Sequence, residues 1–325
     1  MAATTRMLLQ RAARLMPCAV LLYATTAAGA DYPEKPIRVI VPSTGGSSPD
    51  IVARIVATEM AKTIGQPVIV ENKPGADGIV AYEFVVKQSP PDGYNIALVN
   101  VPALAGLPAT AKELRFDPLK DMTLLILAAE TQYVFASNEA LPWKTFRDLI
   151  GAAKASPGKL NYGYVGANLR LLTEAIIQDQ SLKVVSVPYK AGGPYVQAVV
   201  VGEVQMGYLG ESSAIGQAKK LHPLAVTGPT RRPNFPDVPT FTELGYPQIT
   251  GPAFALGVST SVPKAVAEKI TANASRGLKS AEAKQRFANA QFDVLDIGPE
   301  GAMSRLMAEA RLYSTIAKKA GIEPE

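Results

Sequence analysis

The sequence predicts an α/β protein built as two doubly wound lobes, on three observations. At 325 residues the chain exceeds the roughly 250 to 300 residues at which one core stops growing. Its 26 Gly and 26 Pro fall at the short intervals that βα units need for turns. Between them, short apolar runs alternate with helical periodicity, the rhythm of parallel sheets covered by helices on both faces. In that architecture ligands sit beyond the carboxyl ends of the strands, so function is sought in the βα loops.

The first thirty residues stand apart. Arg6, Arg11 and Arg14 precede the apolar stretch Leu15 to Tyr23, no acid occurs before Asp31, and Ala28-Gly29-Ala30 has a small-x-small form. The run is too short to cross a bilayer, so residues 1–30 read as a signal peptide cleaved after Ala30, which sends the protein to the periplasm. Cys18 is the only cysteine and lies in this leader. The mature chain then has no thiol, which excludes disulfides, zinc-thiolate sites and cysteine nucleophiles. Without the leader's three arginines, 30 Lys and Arg face 28 Asp and Glu, and the formal charge drops from +5 to +2. The electrostatic case for nucleic acid goes with it.

Ile37 to Val41 reads as a buried strand that meets Pro42 and feeds the loop Ser43 to Ser48. Ser48 suits the N-cap of the following helix, Pro49 its first position and Asp50 the positive end of its dipole; Gly65 and Pro67 stop it. Val68 to Val70 is a second buried strand, Pro74 to Gly78 a second glycine loop, Ile79 to Gln88 a helix, and Tyr94 to Val99 a third strand that Asn100 closes. After Pro142, Thr145 and Asp148 have capping-box spacing, and Pro157-Gly158 ends that helix. Strand and helix alternate from there to the C-terminus.

The first loop, with Ser43, Thr44, Gly45, Gly46 and Ser47, joins hydroxyls and glycines to a helix N-terminus. Glycine lets main-chain N–H groups approach an anion without a Cβ in the way, and the dipole favours negative charge. The spacing matches neither a dinucleotide nor a triphosphate fingerprint, and an ordinary βα turn is the alternative. Gly78 and Asn100 end the next two loop and strand segments on the same plan. Tyr162 to Asn168 repeats it, with Gly166, Ala167 and Asn168 leading through Leu169-Arg170 into the helix Leu171 to Ile177. Arg170 opposes the local dipole unless an anion bridges the two; the alternative is a solvated arginine. A third loop, Pro188 to Pro194, follows the buried strand Val184 to Val187 and adds Tyr189 and Lys190. No catalytic set, metal site or cofactor motif accompanies these loops. A hydrolase built on Ser212, His222 and Asp237 misses the G-x-S-x-G elbow and the expected residue order, and His222 reads as a loop residue.

Three stretches, Tyr32-Pro33-Glu34-Lys35-Pro36-Ile37-Arg38, Val70-Glu71-Asn72-Lys73-Pro74-Gly75-Ala76 with Pro91-Asp92-Gly93-Tyr94, and Val187-Pro188-Tyr189-Lys190, resemble the Bug family of periplasmic receptors for tripartite tricarboxylate transporters. Phe116 to Asp121, Pro157 to Tyr162 and Pro236 to Thr240 fit as well. The resemblance implies a type II periplasmic binding protein fold, with lobe 1 formed by 31–132 and the return segment 252–325, and lobe 2 by 133–251. It implies capture of a small organic acid by loops of both lobes, delivery to membrane transporter subunits, no catalysis, no cofactor, no nucleic acid and a monomeric state. Ser43, Asn168 to Arg170 and Leu209 depart from the family's usual residues. The alternative function is a sensor module for a membrane signalling protein.

Overall fold

The computed structural model describes residues 32–324; the leader, its cleavage position at Ala30 and Cys18 lie outside them. The elements run β1 (Ile37–Val41), α1 (Ser48–Ile64), β2 (Val68–Asn72), α2 (Ile79–Glu83), β3 (Asn95–Asn100), α3 (Val101–Thr110), β4 (Met122–Glu130), β5 (Tyr133–Asn138), α4 (Phe146–Ala155), β6 (Asn161–Tyr164), α5 (Ala167–Asp179), β7 (Val185–Pro188), α6 (Gly192–Val201), β8 (Met206–Gly210), α7 (Glu211–Gly216), β9 (Leu221–Val226), β10 (Ala253–Ser259), α8 (Lys264–Leu278), α9 (Ala281–Asn289), β11 (Asp293–Ile297) and α10 (Pro299–Ala320). One six-stranded sheet has the order β11-β4-β10-β3-β1-β2, and a five-stranded sheet has the order β7-β6-β8-β5-β9.

The alternation of side chains along a strand distributes the core. In β1, Ile37, Val39 and Val41 join α1, α8 and α9 on one face of the first sheet, while Ile40 joins α2, α3 and α10 on the other. In β5, Val134 and Ala136 face α6 and α7, whereas Phe135 faces α4 and α5. That second face continues into the first sheet's α3 and α10, against which α5 packs, so one apolar cluster runs through both halves.

The chain crosses between the sheets twice, at Thr131–Gln132 and over 227–252, and the crossings touch. Thr131 N–H donates to Pro252 O at 3.1 Å, and Thr227 Oγ1 donates to Gln132 Oε1 at 2.8 Å. Gly251 makes this approach possible, because a Cβ there would stand 2.1 Å from Thr131 O.

Several expectations change. The sheets are mixed: β1, β2 and β3 are parallel, as are β6, β7 and β8, but β10 runs antiparallel to β3 and β4, and β5 antiparallel to β8 and β9. The reason is that β4 meets β5 with no crossover helix between them, and β10 re-enters the first sheet from the second. The strands expected to be buried at Val68 and Val184 are sheet edges, with Ile69 50% and Val185 52% exposed. A buried apolar run and an edge strand read alike when one face is covered. The helix after Ala76 is interrupted, since α2 gives way to a π turn at Phe84–Gln88. The capping box at Thr145 and Asp148 forms as expected, with Asp148 N–H donating to Thr145 Oγ1 at 3.1 Å and Thr145 N–H to Asp148 Oδ2 at 3.0 Å.

Candidate functional site

The parallel strands β1, β2 and β3 end together, so residues 42–47, 73–78 and Asn100 share one edge of the first sheet. β6, β7 and β8 do the same in the second sheet, bringing 165–167, 189–191 and Gly210 to one edge. The two edges meet: Ala167 N–H, at the start of α5, donates to Asp77 Oδ2 from the first sheet's loop at 3.2 Å.

In the first loop, Ser47 rather than Ser48 is the N-cap of α1. Its hydroxyl does not cap; it donates to Thr44 O at 2.7 Å and lies 2.6 Å from Ser43 Oγ. The α1 N-terminus has no side-chain cap; Asp50, in its first turn, instead accepts the loop's Gly46 N–H at 2.9 Å. Arg54 binds the same carboxylate through two bonds of 2.9 Å, and Asn72 Nδ2 reaches Asp50 Oδ1 and Ser43 O, both at 2.9 Å. Burial pushes the Asp50 carboxyl up, but the bonds from Arg54, Gly46 and Asn72 outweigh it and hold the group below the usual carboxylate range. Thr44, Gly45 and Gly46 are exposed at the rim.

The second loop makes three consecutive left-handed residues, Ala76 (φ 46°), Asp77 (φ 51°) and Gly78 (φ 95°). Gly78 is required by crowding as well, since a Cβ would lie 2.7 Å from the Tyr82 ring and 3.0 Å from Pro42. Tyr82, fully buried, accepts Asn100 N–H on its hydroxyl at 3.2 Å, and burial lifts its pKa well above the ordinary tyrosine value. Tyr82 thus joins Gly78 to Asn100, and Asn72 joins Asp50 to the first loop; neither Tyr82, Asn72 nor Asp77 was among the expected site residues, and Asp50 was read only as a helix-dipole residue. Asp77 did carry a readable signal, because Asp-Gly after Pro-Gly-Ala favours positive φ.

Beyond the second sheet's edge, α5 begins at Ala167, earlier than the periodicity suggested, so Asn168 and Arg170 lie in its first turn. A Cβ on Gly166 would lie 3.2 Å from Asn168 Oδ1 and 3.7 Å from Asp77 Oδ1, so the three residues form one cluster. Asn168 is 4% exposed. Its carboxamide lies beside the Tyr133 hydroxyl, yet among the described residues Nδ2 reaches no acceptor in hydrogen-bonding geometry. The buried Asn100 Oδ1 likewise has no donor. Arg170 places its guanidinium carbon 5.9 Å from the centre of the Tyr164 ring.

The third loop differs. The Tyr189 hydroxyl donates to Glu203 of the same half at 2.8 Å, and Lys190 is exposed. Neither is tied to the Asp77–Gly166 cluster. The Ser212, His222 and Asp237 set does not assemble either. Ser212 donates to Ala290 O at 3.2 Å. His222 is a strand residue rather than a loop residue and pairs with Ser137, whereas Gly210, at the Ser212 end, pairs with Tyr133. Those positions are four residues apart along β5, about 13 Å.

A family model described as the tripartite tricarboxylate transporter family receptor matches residues 52–321. A UPF0065 protein from Cupriavidus necator is 34% identical over 74% of this chain and 73% of its own length. Among solved structures, the periplasmic binding protein BugD is 25% identical with a TM-score of 0.79, covering 90% of this chain and 100% of BugD. A protein from R. palustris solved with adipate is 26% identical with a TM-score of 0.81, over 91% of this chain and 100% of that one. MatC from Rhodopseudomonas palustris, solved with bound malate, is 25% identical with a TM-score of 0.78, over 88% and 100%.

Proposed function

The chain belongs to the tripartite tricarboxylate transporter receptor family, and from that premise we propose that it captures a small carboxylate-bearing metabolite between two lobes and delivers it to the membrane subunits of such a transporter. The observation that carries this reading is the meeting of the two carboxyl-end edges at Asp77 and Ala167, 3.2 Å apart. There the loops of both sheets converge on helix N-termini, a setting that suits an anion. Relatives solved with adipate and malate give the ligand its chemical class.

The lobes are residues 31–132 with 252–325, and 133–251, a division supported by the strand membership of the two sheets. The ligand set comprises the rim of the first loop (Ser43, Thr44, Gly45, Gly46, Ser47), the floor residues Gly78 and Asn100, and Gly166, Ala167, Asn168 and Arg170 on the second lobe, with Tyr189 and Lys190 at its margin. Export by the leader, a monomeric state and capture without chemical turnover complete the reading.

A thermal-shift screen of residues 31–325 against dicarboxylates, tricarboxylates, aromatic acids, amino acids and amides tests it. Ligand at one hundred times its Kd adds about 2.7 kcal/mol of stability, so a clear rise in Tm with at least one carboxylate is expected. A flat response to every acid would sink the proposal.

A further inference from the structure

β2 and β11 are the outer strands of the first sheet, and the second half of the molecule is tied to the first beside each of them. Beyond β2 the tie is Asp77 to Ala167. At β11 it is made with the turn that joins α9 to β11. Ser212 Oγ donates to Ala290 O at 3.2 Å, Asn234 Nδ2 to Gln291 Oε1 at 2.8 Å, and Arg232 Nη1 to Asp293 Oδ2 at 2.7 Å. Arg232 and Asn234 ride on the second half, because the adjoining Phe235 packs with Val134, Leu209 and Val226, and Val226 bridges to Thr240. Gln291 stands in a left-handed conformation (φ 65°), and Thr131 Oγ1 donates to its carbonyl at 2.7 Å. Strain of this kind persists only where the surroundings over-determine it.

Arg232 serves two carboxylates of unlike setting. Its Nε donates at 2.9 Å to Glu211, a fully buried side chain of its own half, while its Nη1 reaches Asp293 of the other half, whose side chain is 51% exposed. The Glu211 side stays in place, because separating it would leave a charge buried without a partner. The Asp293 side can part at little cost, since water receives Asp293 and Arg232 keeps Glu211. What favours the contact is the strand pairing beneath it. Asp293 lies directly opposite Glu130 in the β11–β4 register, and like charges at such positions repel. Arg305 on α10, in the first half, lies 3.8 Å from Glu130; the cation beside Asp293 is Arg232, from the second. The repulsion built into the first sheet is therefore relieved by docking the second half against it.

Packing of α5 against α3 and α10 also joins the halves. Apolar contact is non-directional and leaves their angle free to vary, whereas hydrogen bonds weaken steeply when misaligned. We propose that Arg232 and the α9–β11 turn form a clasp that fixes the angle between the two halves, with Asp293 as its releasable side. The proposal rests on the reading of the halves as two lobes. The crossings at Thr131–Gln132 and 227–252 join the first sheet at β4 and β10, beside β11, and the second at β5 and β9. β2 and β7 are the edge strands farthest from those crossings, so a small change of angle at the clasp is carried outward to them as a larger displacement.

Residues 31–325 contain no cysteine, so spin labels at Ile69→Cys on β2 and Val185→Cys on β7, both exposed positions, report one distance between the halves. Pulsed electron paramagnetic resonance on this pair is expected to give one narrow population. Adding Asp293→Asn, which leaves the buried Arg232–Glu211 pair whole, is expected to broaden it toward longer distances, and Asp293→Lys, which sets a cation against Arg232, to shift it further. Asp296→Asn is the comparison: this carboxylate of β11 pairs with Lys279 of its own half at 3.3 Å, and its removal is expected to leave the distribution as it was. Melting curves confirm that each variant folds. A broad distribution without any change at Asp293, an unchanged one in either Asp293 variant, or equal broadening in Asp296→Asn would overturn the clasp. A flat thermal-shift screen beside the expected distances would remove carboxylate capture and leave the clasp standing, so the two failures are distinct.

Discussion

The loop ahead of α1 and the loop ahead of α5 follow one plan, a strand, a glycine turn and a helix N-terminus, yet they obtain their carboxylates from different places. In the first, Asp50 comes from the first turn of α1 itself, four residues from the Gly46 N–H it accepts, and Arg54 one turn further on neutralises it. In the second, Asp77 comes from the other sheet, ninety residues away in sequence, through one bond of 3.2 Å. A locally supplied and neutralised carboxylate builds a loop. One supplied from the other sheet ties the loops of the two sheets to each other.

If Asp50 is structural, Asp50→Ala has the largest effect on stability. It leaves Gly46 N–H without its acceptor and removes one of the two acceptors of Asn72 Nδ2, and the cost is about 2 kcal/mol in urea unfolding, less than for a fully buried pair because Arg54 lies half in solvent. The same contrast has a pH signature. The folded-state pKa of Asp50 is depressed, so its contribution is present above the unfolded value of about 3.9 and lost as pH falls through the folded value. The advantage of wild type over Asp50→Asn should therefore shrink below about pH 4; an advantage constant down to pH 2 would contradict the role given to Asp50.

Gly166→Ala sharpens the contrast from the other side. At φ 74° with Asn168 Oδ1 3.2 Å from the added Cβ, it should cost about 1 kcal/mol. It should also speed hydrogen exchange at the Ala167 amide by displacing Asp77, while Gly46 exchange stays as in wild type. Lys190→Ala should do least. Exposed and outside the Asp77–Gly166 cluster, it should alter stability by less than about 0.5 kcal/mol, and a large loss of carboxylate affinity would return the third loop to the centre of the site.

The local chemistry was legible in the sequence wherever neighbours along the chain decide it. The capping box of Thr145 and Asp148, the stop at Gly65 and the strand Ile37–Val41 depend on residues within one or two turns of each other. Ser47 and Ser48 are interchangeable as N-caps by propensity, and it is the extended backbone of Ser47 (φ −75°, ψ 164°) that makes it the N-cap of α1. Edge positions at Ile69 and Val185 and the antiparallel runs of β5 and β10 were not legible, since an apolar run does not announce its neighbours.

The sequence by itself determined the α/β class, the glycine loops at strand ends and, through three long motifs, the receptor family. Only the tertiary structure decided which loops face one another, that Tyr189 and Lys190 stand apart from the cluster, and that Asp77 meets Ala167. The physical reason is range. Backbone propensity and capping act over a few residues, whereas a hydrogen bond between positions 77 and 167 exists only after two sheets have packed and brought their carboxyl ends together.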